Sequence, residues 1–194
     1  MAANFYFVFV EKKQEFNLNQ FLNKIGFEGF NPQNKVEIWR TSKPKTLYLG
    51  EYNNHFIFAE QGLPFEFFKE KPSKIEKLFV DEFPNSEISA YVLNESVGMF
   101  GFSIIKNGKR MRVKNGGDGE MYIDIGEKLP IELSLINENL FYAEELEGMR
   151  KNNENISMLL EIEGSFRATG HLISERLGKD FYTIDNEVVL TRYE

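Results

Sequence analysis

The sequence contains no cysteine, which excludes disulfides, cysteine-ligated zinc, iron–sulfur clusters and thiolate nucleophiles. It has only two histidines, His55 and His171, and their separation is not that of a metal-ligand pair. Histidine is the usual acid or base at neutral pH, but neither of these two lies in a recognisable catalytic motif. We therefore predict no metal, no cofactor and no catalytic residue. We expect His55, beside a turn, to be exposed and His171 to be half-buried.

Positively charged residues are also fewer than negatively charged ones. Lysine and arginine number 23 against 30 aspartates and glutamates, so the formal net charge is −7 and the isoelectric point about 5.1. Binding to nucleic acid depends on neutralising phosphates with a basic surface, and attachment to anionic lipid depends on a polybasic segment. The charge balance therefore argues against both nucleic acid and membranes as partners.

The N-terminal region has no long hydrophobic run. Its apolar segment covers only Phe5–Val10, with no basic residue before it. That is too short for the hydrophobic stretch of a signal peptide or for a membrane span. We interpret the segment as a buried first strand and expect a cytoplasmic protein, in agreement with the lack of disulfides.

The remaining composition is typical of a folded domain. A chain of 194 residues, with 42% hydrophobic and 27% charged residues, is long enough for one sizeable core. Helix and strand patterns are mixed without strict βαβ alternation, and no repeat, linker or shift in composition divides the chain. We predict a single α+β domain over residues 1–194, with a mainly antiparallel sheet and about three helices packed on it.

Three segments have helical periodicity and recognisable ends. The first has a candidate N-cap at Asn17, and Phe16 can pack on Phe21 as a hydrophobic staple. The second begins with a capping box, Ser73 to Glu76, before Pro84 ends it. The first two predicted helices begin after Asn17 and after Ser73. The third is the longest and is predicted to run from about Ser157 to Leu177.

The strand predictions rest on alternating or branched residues between turn signals. Strands are expected at Phe5–Val10, Lys35–Arg40, Thr46–Gln61 (a hairpin turning near Asn53 and Asn54), Glu87–Asn94, Val97–Ile125 and Val188–Tyr193. The segment from Lys128 to Asn155 is polar and is expected to be irregular. The aromatic connector at residues 64–68 is expected to be buried, since large apolar patches are rare on monomer surfaces.

The most basic stretch, KNGKRMRVKNGGDGEMYIDIG at residues 106–126, predicts two hairpins. Asn107-Gly108 is a strong signal for a two-residue turn, and a three-residue turn is expected at residues 117–119. In the resulting register apolar residues share one face of the sheet. That expected core face consists of Phe102, Ile104, Met111, Val113, Ile123 and Ile125.

The opposite face of these hairpins carries the candidate ligand-binding residues, which are Ser103, Arg110, Arg112, Lys114, Tyr122 and Asp124. Arg112 falls opposite Asp124, which predicts a cross-strand ion pair. One interpretation is an ordinary solvated sheet face. The other is a shallow groove in which arginine captures a carboxylate or phosphate. We interpret the glycine-rich loop as a turn and not as an anion-binding loop, because Asp118 and Glu120 would repel an anion.

This region resembles a family of uncharacterised bacterial proteins that share a domain of unknown function. The shared pattern is an aromatic strand, a tight turn, spaced arginines, a glycine/acidic turn and D-x-G-E-x-L-P. Here these positions are Phe100–Ile105, Asn107-Gly108, Arg110 with Arg112, Gly116–Glu120 and Asp124–Pro130. The chain departs from the pattern in its long polar segment from Ile136 to Asn155. The resemblance implies an α+β bacterial cytosolic protein and no particular activity.

The sequence lacks the glycine-rich nucleotide motifs G-x-x-x-x-G-K-[ST] and G-x-G-x-x-G and the nucleophile motif G-x-S-x-G. This favours a non-enzymatic protein that binds a protein partner, and the oligomeric state stays open. The alternative is a sensor or enzyme that holds a small anionic ligand with Arg110, Arg112 and Lys114.

Overall fold

In the computed structural model, which describes residues 4–136, 140–184 and 187–194, nine strands form one antiparallel sheet. The strands are β1 (Asn4–Glu11), β2 (Pro32–Glu37), β3 (Leu47–Tyr52), β4 (His55–Ala59), β5 (Glu87–Asn94), β6 (Met99–Lys106), β7 (Lys109–Gly117), β8 (Glu120–Gly126) and β9 (Val189–Tyr193). Their order across the sheet is β2-β9-β3-β4-β1-β5-β6-β7-β8, so β2 and β8 form its two edges.

Five α-helices lie in the same described ranges, rather than the three expected. They are α1 (Leu18–Lys24), α2 (Lys74–Glu82), α3 (Pro130–Ile136), α4 (Ala143–Lys151) and α5 (Ile156–Leu177). The predicted α+β class with a mainly antiparallel sheet is confirmed. None of these helices combines the length and the apolar character needed to cross a membrane.

Each face of the sheet carries its own hydrophobic core. On one face Phe21 of α1 and Phe79 of α2 pack on Val8 and neighbouring strand residues. On the other, Leu172 and Ile173 of α5 pack on the same strands. Because β1 is covered on both sides, nearly every residue from Phe5 to Val10 is buried. This explains why that strand is an unbroken apolar run instead of an alternating one.

Two predicted helix starts and both predicted two-residue turns are confirmed in their hydrogen bonds and dihedral angles. Asn17 Oδ1 accepts from the Gln20 N–H at 3.0 Å, and the Phe16 and Phe21 rings meet with centroids 5.8 Å apart. Ser73 Oγ likewise accepts from the Glu76 N–H at 3.0 Å. Positive φ angles mark both predicted two-residue turns, at Asn53 and Asn54 and at Asn107 and Gly108.

Two segments differ from the expectation. The segment from Lys128 to Asn155 was expected to be irregular, but it contains α3 and α4. The predicted strand Lys35–Arg40 is only partly a strand. It ends at Glu37, and a 3-10 turn follows in which the Trp39 indole N–H donates to the Ile184 carbonyl oxygen.

The β7–β8 hairpin depends on a glycine that has no room for a side chain. A Cβ on Gly116 would overlap the Glu120 carbonyl oxygen and lie 2.8 Å from a ring carbon of the buried Phe100. We expect Gly116→Ala to destabilise the protein by roughly 1–3 kcal/mol, because neither neighbour can move freely.

A glycine in α4 provides the control for this substitution. A Cβ on Gly148 would meet nothing within 4 Å. Gly148→Ala should therefore stabilise the protein by up to about 1 kcal/mol through helix propensity. Urea unfolding of the two variants measures both effects, and equal stabilities would contradict the crowding at Gly116.

Candidate functional site

A β-bulge decides which face of the sheet each basic side chain occupies. In the β6–β7 ladder Ile105 pairs with Arg110 and Ile104 pairs with Arg112, so Met111 is an extra residue without an opposite partner. An extra residue reverses the alternation of side chains beyond it. Arg110 and Arg112, two positions apart, therefore point to opposite faces of the sheet.

In the β6–β7 ladder the register predicted from the sequence is consequently wrong by one residue beyond the bulge. Val113 pairs with Ser103 instead of Phe102, and both Val113 and Ser103 lie on the face covered by α1 and α2. Arg112 and Lys114 lie on the other face, beneath α3 and α5. The turn into β8 has two residues, Asp118 and Gly119, where three were expected.

The six predicted site residues do not come together. Arg110 lies on the α2 face, where its Nε donates to Glu76 Oε1 at 2.7 Å. Ser103 is fully buried on that face, and its Oγ has no hydrogen-bond partner within the described residues. Tyr122 is 49% exposed and donates to the Gly117 carbonyl oxygen at 3.0 Å.

The other three predicted residues, Arg112, Lys114 and Asp124, belong to a group of charges with a buried centre and a partly exposed rim, here named the charge cluster. Three carboxylates and three cations form it: Asp124, Glu132, Glu161, Arg112, Lys114 and Lys128. Its formal charge is zero, because +3 and −3 cancel. The predicted Arg112–Asp124 ion pair is present within it.

The strongest pairing in the charge cluster is between Arg112 and Glu132. Arg112 Nε donates to Glu132 Oε2 at 2.9 Å, and Nη2 donates to Oε1 at 2.7 Å. This is the bidentate geometry in which an arginine–carboxylate pair is strongest. The remaining nitrogen of Arg112, Nη1, donates to Asp124 and to the Ile125 carbonyl oxygen, so the whole guanidinium is paired.

Lys114 is surrounded by carboxylates from three elements. Its Nζ lies 3.2 Å from Glu132 Oε1 and 3.6 Å from Asp124 Oδ2, and it also bonds Glu161 of α5. Glu161 in turn accepts from Lys128 Nζ at 2.6 Å. Arg112, Lys114 and Glu132 are at most 1% exposed. The expectation of a solvated face with open cations is therefore wrong for Arg112 and Lys114.

Glu132 is the member of the charge cluster that the sequence analysis missed. It is the third residue of α3, and its Oε2 also accepts from the Leu129 N–H at 2.8 Å, just ahead of the helix. Proline at the first position and glutamate at the third are signals of a helix start. Pro130 and Glu132 carry those signals, so this helix was detectable from sequence.

Hydrogen bonds and ion pairs within the charge cluster favour the ionised form of its carboxylates. Burial alone would raise the pKa of Glu132, but the hydrogen bonds from Arg112 and from the Leu129 N–H outweigh it and lower the pKa overall. The same balance lowers the pKa of Asp124, mainly through Arg112, and that of Glu161, mainly through Lys114. Such groups are not proton donors at neutral pH. Their arrangement fixes α3 and α5 to the sheet.

The two histidines differ from expectation in their exposure. His55 is half-buried at the start of β4, where its Nδ1 lies 2.6 Å from the Asn53 carbonyl oxygen, and burial lowers its pKa. His171 is exposed on α5. Among the described residues, no group of three or more His, Asp or Glu side chains is arranged to hold a metal ion.

Comparison with known proteins gives no family assignment. No family model, no curated protein and no solved structure matches the chain. The resemblance noted at residues 100–130 therefore stays a prediction, and function has to be inferred from the geometry of this chain.

Removing one carboxylate from the charge cluster should be strongly destabilising. Glu132→Gln keeps the shape of the side chain but removes the fully buried carboxylate that contacts both Arg112 and Lys114. We expect a loss of about 3–5 kcal/mol, because an uncompensated charge remains buried. Glu147→Gln, at an exposed pair with Lys151, is the control and should cost less than about 1 kcal/mol. Similar losses in both variants, measured by urea unfolding, would contradict a buried cluster.

The charge cluster should also make the protein sensitive to acid. Three carboxylates have folded-state pKa values below their usual range, whereas unfolded Asp and Glu have values of about 3.9 and 4.3. Their contribution to stability is therefore complete above the unfolded values and is lost as the pH falls through the folded ones. Urea unfolding from about pH 7 to about pH 3 should show this loss. Glu132→Gln should depend less steeply on pH, and a slope equal to that of the wild type would refute the assignment.

Proposed function

We propose that the protein is a non-enzymatic interaction protein that binds an extended segment of a partner protein along the edge strand β8. The supporting observation is the difference between the two edges of the sheet. A free edge can accept a further strand through its backbone N–H and carbonyl groups. Natural proteins usually protect such edges with lysine, proline, bulges or short strands.

The edge strand β2 has this protection. It begins with Pro32, carries Lys35, and its ladder with β9 shifts register between these two residues. Proline lacks the N–H that a new strand would need, and lysine disfavours close approach of another edge. Strand β2 is therefore poorly suited to accept a partner.

The edge strand β8 has much less protection. It is seven residues long and contains neither lysine nor proline. Its one irregularity lies near Tyr122, and from Ile123 to Gly126 the ladder with β7 is regular. Five of its seven residues are exposed and the other two are partly exposed, and Ile125 itself is 40% exposed.

The side chains around β8 indicate what kind of segment would bind. Met111, 45% exposed, and Ile125 offer apolar surface beside the edge. Glu120 and Glu127, at the two ends of β8, are exposed and acidic. The complementary segment has alternating apolar residues with lysine or arginine at its ends, since opposite charges across strands are favourable.

The charge cluster favours binding of a protein partner over binding of a small anionic ligand. Arg112 and Lys114 are already paired with carboxylates of the chain, and Arg110 is paired with Glu76. A ligand anion would have to displace these buried carboxylates and leave them without partners, which is costly.

Blocking the edge with a charge tests the proposal. Seven-residue peptides, the length of β8, are selected on the immobilised protein from a displayed library and their affinity is measured by fluorescence anisotropy. Ile125→Lys should weaken the selected peptides about tenfold or more, because it removes apolar contact and protects the edge. Val189→Lys is the matched control: Val189 is 46% exposed but lies on an inner strand, so affinity should not change.

Hydrogen exchange locates the bound peptide. Binding at β8 should slow exchange of amides in β8 and leave those of β2 unchanged. Selected peptides that bind both lysine variants equally, or that protect another region, would refute the proposal. Concentration-dependent sedimentation of the wild type, abolished by Ile125→Lys, would show instead that the edge pairs with a second copy.

A further inference from the structure

A cavity of about 270 Å³ lies beside the start of α1, on the face of the sheet that α1 and α2 cover. Strands β3, β4 and β9 form its floor. Its apolar walls include Phe16, Leu18, Leu49, Phe56 and Tyr193. Leu49 and Phe56 are buried, whereas Phe16, Leu18 and Tyr193 are half-buried, so the cavity opens to solvent past these three side chains.

Two carboxylates stand at the open side of this cavity. Glu15 and Glu51 both line it, and their side chains are 84% and 56% exposed. An apolar cavity with negative charge at its mouth is complementary to a molecule that has an apolar body and one cationic end.

The chain itself shows that an ammonium group is favourable at this mouth. Lys12 Nζ lies 2.8 Å from Glu51 Oε2 and 3.4 Å from Glu15 Oε1. It also lies 5.3 Å from the centroid of the Phe56 ring, within the range of a cation–π interaction. Two carboxylates and an aromatic ring therefore converge on one ammonium.

Lys12 does not prevent a ligand from using the same groups. Its ion pairs with Glu15 and Glu51 are substantially exposed, and exposed pairs contribute little to stability. Lys12 is not among the residues that line the cavity, so its side chain leaves the apolar volume open. A ligand that fills this volume gains apolar contact that Lys12 cannot make.

We propose that the cavity binds a small primary amine with one apolar tail. The ammonium replaces that of Lys12 between Glu15 and Glu51, and the tail packs against Phe16, Leu18 and Phe56. The volume is just below the range of about 300–1,000 Å³ usual for ligand pockets, which limits the tail to about one aromatic ring. This site is separate from edge strand β8 and does not depend on the proposed partner binding.

Three molecules of similar shape and different charge test the proposal. Phenethylamine, 2-phenylethanol and 3-phenylpropionate are titrated into the protein and followed by NMR chemical shifts. Phenethylamine should shift the resonances of residues that line the cavity, whereas the alcohol and the carboxylate should bind at least about tenfold more weakly because they lack the cation. Equal binding of the amine and the alcohol, or no shifts with the amine, would overturn the proposal.

Two substitutions at the mouth should act in opposite directions. Glu51→Gln should weaken phenethylamine about threefold, because it removes one exposed ion pair. Lys12→Gln should strengthen it by about threefold, because the competing ammonium is gone. Glu147→Gln, far along the chain in α4, is the control and should change nothing. Weaker binding in Lys12→Gln, or unchanged binding in Glu51→Gln, would likewise overturn the assignment.

Discussion

The burial of Arg112 and Lys114 against the sheet constrains much of the fold. A buried charge without a partner is strongly destabilising, and each of these two cations is at most 1% exposed. Their carboxylate partners come from three elements: Asp124 from β8, Glu132 from α3 and Glu161 from α5. Moving either helix off the sheet would remove a carboxylate from these two cations.

Both faces of the sheet combine aromatic packing with buried ion pairs, but the α5 face buries more charge. On the α2 face, Phe21 packs edge to face on Phe79 and on Phe83, with the Phe21 and Phe79 centroids 4.9 Å apart. The α5 face combines apolar packing with the charge cluster. Apolar replacements for a buried ion pair are often as stable as the pair itself. The contribution of the charge cluster is therefore to fix where α3 and α5 sit, since Glu132 and Glu161 fit only one placement of these helices.

The local features that were predicted correctly from the sequence are those whose hydrogen bonds join near neighbours in the chain. The caps at Asn17 and Ser73 and the turn at Asn107 and Gly108 are of this kind, because three or four residues contain both partners. The bulge at Met111 is different. It depends on the burial of both faces of the sheet and on carboxylates up to 47 residues away, which no local pattern contains.

The prediction of the Arg112–Asp124 pair was correct although the register was wrong. Lys114 is the residue directly opposite Asp124, and Arg112 is its diagonal neighbour on the same face. Diagonal neighbours are within reach of long side chains, so a shift of the ladder did not separate the pair. The burial of Arg112 and Lys114 depends on α3, so it could be predicted only by recognising the helix start at Pro130.

The internal neutrality of the charge cluster has a consequence for the outer surface. Since the cluster has no net charge, the whole formal charge of −7 lies on other residues. An acidic surface attracts cations and repels anions. The proposed partner segment, with lysine or arginine beside Glu120 and Glu127, and the proposed amine, with its ammonium between Glu15 and Glu51, both match that sign. Lys12, held at the mouth of the cavity by its own chain, shows the same preference within the protein.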